Sequence, residues 1–122
     1  MSKKILIIDD EADFVETLSF SLESNGFEVV SAPDGPSGIE KLKNENPDLI
    51  ILDLMMPGMD GCEVAKRLKA DKATSGIPIL MLTAAVTPDL KQKVCSVQAM
   101  DYVTKPCDLE ELVEKIKKIL EA

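Results

Sequence analysis

Asp48-Leu49-Ile50-Ile51-Leu52-Asp53-Leu54-Met55-Met56-Pro57-Gly58-Met59-Asp60-Gly61 is the stretch from which the rest of the chain is read. It opens on a short, wholly apolar run, Leu49 to Leu52, which stops on a carboxylate, Asp53. Pro57, Gly58 and Gly61 then break the chain. A short run rich in branched residues and bounded by turn signals reads as a strand buried on both faces. Such strands belong to parallel sheets covered by helices, in which reactive groups collect outside the carboxyl ends of the strands. Asp53 stands at such an end. Alone it would do no more than start a turn, so its meaning depends on what other strands deliver to the same edge. A nucleophilic carboxylate needs a cation beside it and groups that receive the charge of its product.

Toward the N-terminus, Lys4-Ile5-Leu6-Ile7-Ile8 repeats the buried-strand pattern and ends on Asp9-Asp10-Glu11. Phe14, Val15, Leu18 and Leu22 follow at helical spacing, and Asn25-Gly26 stops that helix. Residues 27–31 form a short strand, placed at an edge by Glu28 and the nearby Pro33. Residues 36–44 read as a helix with Ile39 and Leu42 inward, ended by Asn46-Pro47.

Beyond Gly61 a helix is expected over about residues 62–69, with Cys62, Ala65 and Leu68 on one face, followed by a polar loop over 72–76. Residues 77–82 form a fourth apolar run ending on Thr83-Ala84-Ala85. Thr87-Pro88 reads as the cap and first residue of a helix carrying Leu90, Val94 and Val97. Met100-Asp101-Tyr102-Val103-Thr104 is a fifth strand before Lys105-Pro106. Asp108 caps a last helix whose apolar stripe is Leu109, Leu112, Val113, Ile116, Ile119 and Leu120. Five strands alternating with five helices predict an α/β fold, a parallel sheet with helices on both faces. The favoured arrangement is a (βα)5 flavodoxin-like three-layer sandwich with strand order 2-1-3-4-5. Periodicity alone does not fix that order.

The 122 residues suffice for one domain, residues 1–122, with a real core. No apolar segment is long enough to span a membrane, and the apolar run near the N-terminus is too short for a signal peptide, so the expectation is a cytoplasmic protein. The net charge of −8 argues against direct nucleic-acid binding by this domain. Cys62, Cys95 and Cys107 are widely spaced and odd in number, as expected of reduced packing thiols. The absence of histidine removes Ser/His/Asp and Cys/His catalysis, the usual zinc sites and any phosphohistidine carrier role.

Four strands end on functional groups: Asp9 and Asp10, Asp53, Thr83, and Lys105. The expected order sets strands 1 and 3 side by side, so Asp9, Asp10 and Asp53 meet. Three carboxylates and one ammonium give −3 + 1 = −2, and a divalent cation cancels that repulsion. Oxygen-only ligands in an open loop suit Mg²⁺. With Lys105 and the Thr83 hydroxyl in reach, the constellation suits phosphoryl transfer onto Asp53.

The chain resembles the receiver domains of two-component response regulators, the CheY-like family. The resemblance covers nearly the whole chain. It rests on Ile7-Ile8-Asp9-Asp10-Glu11, on the run from Leu52 to Gly61, on Leu82-Thr83-Ala84, and on the run from Asp101 to Pro106. It implies that Asp53 accepts a phosphoryl group from the phosphohistidine of a histidine kinase or phosphotransfer protein. It implies Mg²⁺ held by Asp10, Asp53 and the Met55 backbone carbonyl, with Asp9 ligating directly or through water. Thr83 and Tyr102 would form the switch, Lys105 and the Ala84 N–H would contact the phosphoryl group, and the Lys105-Pro106 peptide would be cis. A downstream protein target would dock on the face of the fourth helix, fifth strand and fifth helix, with a phosphorylation-linked dimer as a further consequence.

The sequence departs from the family at Gln98, where a Gly usually ends the fourth helix, and at Cys107, where an aromatic usually follows Lys-Pro. In the family the residues two past the acceptor and two past the switch Thr flank the line along which water attacks the phosphoryl group; the resemblance assigns these places to Met55 and Ala85, and neither orients a water well. Slow self-dephosphorylation is therefore expected.

A protein of this kind is a switch rather than an enzyme, catalysing only its own phosphorylation and dephosphorylation. It is expected to stand alone, with a receiver excised from a longer regulator or hybrid kinase as the alternative; the initiating Met before strand 1 favours a natural N-terminus, and the end after one complete helix fits either case. Three other readings compete. A flavodoxin-like cofactor binder needs a Gly, Ser or Thr phosphate loop where Asp9-Asp10-Glu11 stands. An Asp-nucleophile phosphatase needs a second acid where Met55 stands. A structural adaptor predicts no Mg²⁺ dependence.

Overall fold

The computed structural model describes residues 2–54, 56, 58–59, 61–83, 101–105 and 107–121. Its elements in chain order are β1 (Lys4–Ile8), α1 (Ala12–Ser24), β2 (Glu28–Ala32), α2 (Gly35–Glu45), β3 (Leu49–Asp53), α3 (Gly61–Ala70), β4 (Ile79–Thr83), β5 (Asp101–Thr104) and the C-terminal helix α4 (Leu109–Glu121). The strands pair in parallel in the order β2-β1-β3-β4-β5, the order expected from the sequence.

The apolar runs alternate across the sheet because successive strand residues point to opposite faces. Leu6, Ile8, Ile50, Leu52, Ile79 and Met81 face one core, closed by Leu42 of α2 and Val64, Ala65 and Leu68 of α3. Ile5, Ile7, Leu49, Ile51, Leu80 and Leu82 face the other, closed by Leu18 and Leu22 of α1 and by Leu112, Val113 and Ile116 of α4. All five residues of both β3 and β4 are buried, whereas β2 and β5 are only partly covered, as edge strands are. Among the described residues no helix is long and apolar enough to cross a membrane.

Several boundaries shift for identifiable reasons. Phe27 opens no strand: its N–H returns to the Leu22 carbonyl at 3.1 Å, and Gly26 with φ +89° completes the helix end. β4 begins at Ile79 rather than Ile77. The Ile77 N–H closes a turn onto Thr74, and Pro78 has no N–H, offering only its carbonyl to Ile50 at 3.0 Å. α2 starts one residue earlier than expected, because the Asp34 side chain accepts from the Ser37 N–H at 2.8 Å. Asn46, in the left-handed region with φ 47°, ends that helix as read. The inward face of α3 carries Val64 with Ala65 and Leu68, while Cys62 is half-buried.

Asp108 caps α4 through a 2.9 Å bond from the Glu110 N–H, and the whole predicted stripe of that helix packs on the sheet. The expected helix bearing Leu90, Val94 and Val97 lies outside the described residues, as do Met55, Ala84, Ala85, Cys95, Gln98, Met100 and Pro106.

Candidate functional site

Backbone bonds that prolong the ladder past the strand ends fix the residues of one sheet edge. The Asp9 N–H donates to the Ala32 carbonyl at 3.1 Å, the Leu54 N–H to Leu82 at 2.8 Å, and the Lys105 N–H to Thr83 at 2.7 Å. Asp9, Asp53 and Thr83 are thereby held in the interior, 2%, 3% and 0% exposed, while Asp10 faces solvent. β1 and β3 are neighbours with Ile8 opposite Leu52, so the acids after these residues converge. One oxygen each of Asp9, Asp10 and Asp53 lies within 4.8 Å of the others.

The helix after this edge packs tightly against it. A Cβ at Gly61 would come within 2.7 Å of the Leu54 Cα and closer still to the Asp53 carbonyl oxygen. Such a contact cannot be relieved by turning a side chain, because both neighbours are backbone. The Gly61 N–H also donates to the Leu54 carbonyl at 3.0 Å. Glycine there lets α3 begin against the strand that carries Asp53.

Lys105 crosses the site from β5. Its ammonium lies 2.7 Å from Asp9 Oδ2, 2.6 Å from Glu11 Oε1 and 3.5 Å from Asp53 Oδ2. The ammonium also lies over the face of the Phe14 ring, 4.6 Å from its centroid. Burial alone would lower its pKa; hydrogen bonds to Asp9 and Glu11, with the charges of Asp53 and Asp9, outweigh burial and raise it. The group is a permanent cation near neutrality. Asp9 is committed on both oxygens, since its Oδ1 accepts from the Glu11 N–H at 2.9 Å. With Glu11 included, the local sum is −4 + 1 = −3, more negative than the three aspartates and Lys105 alone.

A set of carboxylate oxygens with a surplus of negative charge fits a hard divalent cation such as Mg²⁺. The exposed Asp10 leaves one side open to solvent. The structure thus brings together Asp9, Asp10, Asp53 and Lys105. Thr83 lies at the same edge, at the end of the strand beside β3. Tyr102 lies deeper, opposite Met81, and packs on the same sheet face as Met81. Thr83, two residues after Met81, points to that face as well.

The contacts of Lys105 with Glu11 and Phe14 were not legible beforehand. Phe14 reads as a core position of α1, and Glu11 as one more acid after a strand. The available signal was that Asp9-Asp10-Glu11 holds three acids for a single lysine.

Residues 5–117 match the sequence profile described as response regulator receiver domain. The alkaline phosphatase synthesis transcriptional regulatory protein PhoP of Bacillus subtilis (strain 168) is 43% identical over 120 residues, 98% of this chain and 49% of PhoP. The phosphate regulon transcriptional regulatory protein PhoB of Escherichia coli (strain K12) is 41% identical over 120 residues, 98% of this chain and 52% of PhoB. The chain spans about half the length of these curated relatives. Among solved structures, Vibrio cholerae chemotaxis protein CheY4 superposes with a TM-score of 0.92 at 32% identity, covering 98% of this chain and 99% of that one. A CheY-like response regulator receiver domain protein from Methanospirillum hungatei JF-1 gives 0.91 at 31% identity, with 99% and 95% covered.

Proposed function

The chain belongs to the response regulator receiver domains, and from that premise we propose that it is a switch that accepts a phosphoryl group on Asp53 with Mg²⁺. The observation that supports this most directly is the meeting of Asp9, Asp10 and Asp53 within 4.8 Å, with the Lys105 ammonium 3.5 Å from Asp53. The donor is the phosphohistidine of a kinase or phosphotransfer protein. An Asp53 oxygen bonds to phosphorus as the P–N bond breaks and the imidazole leaves. Asp10, Asp53 and the Met55 carbonyl would hold Mg²⁺, with Asp9 behind them. That ion supplies the positive charge that lets an anionic group approach carboxylates. Lys105 supplies further charge, and the Thr83 hydroxyl and Ala84 N–H donate to phosphoryl oxygens.

Thr83 and Tyr102 on one sheet face give the new hydrogen bond a route to the partner surface around β5 and α4. The signal is a shift of population between two packings. The protein takes one phosphoryl group per chain rather than turning over substrate, works in the cytoplasm, and loses the group slowly because Met55 and Ala85 do not place a water.

The test is incubation with acetyl phosphate and Mg²⁺. One phosphoryl group per chain should appear by mass, be removed by alkali or hydroxylamine, and be absent in Asp53→Ala. Uptake by Asp53→Ala, or phosphate release from wild type that outpaces the decay of the phosphorylated chain, would overturn the reading.

A switch that acts as a separate receiver is one reading. The half-length match to proteins named transcriptional regulators favours a second reading, in which the same switch controls an attached output segment. Reading the coding sequence past Ala122 separates the two.

A further inference from the structure

Resting on Asp53 as the acceptor, we propose that Glu11 is a positioning residue that holds the Lys105 ammonium away from Asp53 and so sets the rate of phosphorylation. The ammonium makes two short charge-assisted bonds, 2.7 Å to Asp9 and 2.6 Å to Glu11, whereas Asp53 at 3.5 Å is beyond a good one. The Phe14 ring at 4.6 Å occupies a further side of the ammonium. To serve a phosphoryl group on Asp53, Lys105 has to turn part of this set over to phosphoryl oxygens.

The two carboxylates that hold it are not equivalent. The Asp9 side chain is fully buried and its second oxygen is fixed by the Glu11 N–H, so releasing Lys105 there would strand a buried charge. The Glu11 side chain is 59% exposed and can turn into water at little cost. Glu11 is therefore the contact that gives way.

A grip present before transfer and lost during it raises the barrier, because only differences between ground and transition state change the rate. Removing the grip speeds the step. For a half-exposed ion pair the expected gain is about two- to fivefold. The bonds made and broken are unchanged: phosphorus moves from the donor to Asp53, and the leaving group departs with its electron pair.

The experiment follows phosphoryl uptake from acetyl phosphate in excess Mg²⁺ by the wild type, Glu11→Gln and Glu11→Asp. Glutamine removes the charge, whereas aspartate keeps it but lacks one methylene of reach. Both variants should be phosphorylated about two- to fivefold faster than wild type. A damaged fold would slow uptake, so acceleration does not arise from misfolding. A Glu11→Gln rate at or below wild type overturns the inference. So does acceleration in Glu11→Gln with Glu11→Asp at the wild-type rate, which would show that Glu11 repels the anionic donor rather than tethers Lys105. A wild type that takes up no phosphoryl group defeats the proposed function itself, whereas normal wild-type uptake with unaltered variants defeats this inference alone.

Discussion

Asp9 and Asp10 are neighbours in sequence with opposite situations. Asp9 is buried with both oxygens engaged, by Lys105 and by the Glu11 N–H, while Asp10 faces solvent. Asp10 is thus the carboxylate with room to meet an incoming cation. A ligand that binds the folded state alone stabilises it by mass action, about 2.7 kcal/mol at a hundred times its dissociation constant. Excess Mg²⁺ should therefore raise the thermal midpoint of the wild type by several degrees, and Asp10→Asn should lose most of that rise. Without Mg²⁺ the variant should melt slightly higher than wild type, because one repulsive charge is gone. Equal Mg²⁺ shifts in the two proteins, read by calorimetry, would place the ion elsewhere. Lys105 behaves differently with pH. Its pKa lies above the ordinary 10.5, so its contribution to stability is complete below that pH and is lost only as pH rises through the higher folded value.

At the scale of the element, α3 shows how a single atom positions a site. A Cβ at Gly61 would press on the backbone of Asp53 and Leu54, and no rotamer change relieves it. Gly61→Ala should cost about 1–3 kcal/mol in urea unfolding and slow phosphorylation of Asp53, because the start of the helix and the end of β3 must part. Unaltered stability would mean that α3 can slide. Most elements were legible from the sequence because apolar period and turn residues agree, as in β1, β3 and α4. The boundaries that moved are those set by a single local cap or turn hydrogen bond, as at Asp34 before α2. Phe27 is drawn into the end of α1, and residues 77–78 into the turn before β4.

For the molecule as a whole, the sheet is the shared wall of two cores, and each central strand serves both by alternation. Ile51 lies at the middle of β3, wholly buried in the core that α1 and α4 close. Ile51→Ala should destabilise the protein by about 2–5 kcal/mol, with the same Mg²⁺-induced stabilisation as the wild type. A loss under 1 kcal/mol in urea unfolding would show that this core collapses around the gap. The net charge of −8 includes an excess gathered at one sheet edge, among Asp9, Asp10 and Asp53.

By itself the sequence determined the alternation of strands and helices, the apolar runs and most of the helix stripes that the cores bury, and the acids, hydroxyl and lysine that end the strands. These follow from local period and from groups placed at run ends, which a linear reading can see. The strand order came from the usual arrangement of five-stranded doubly wound sheets, since periodicity does not say which strand lies beside which. Only the tertiary structure decided what Lys105 holds. Glu11 and Phe14 are 94 and 91 positions away from it in the chain, and their contact depends on how the start of α1 sits over the end of β5. The apposition of Gly61 to the Asp53 backbone likewise depends on how closely helix and sheet pack. Distances of this kind are set by packing across layers, and no periodicity in the chain encodes them.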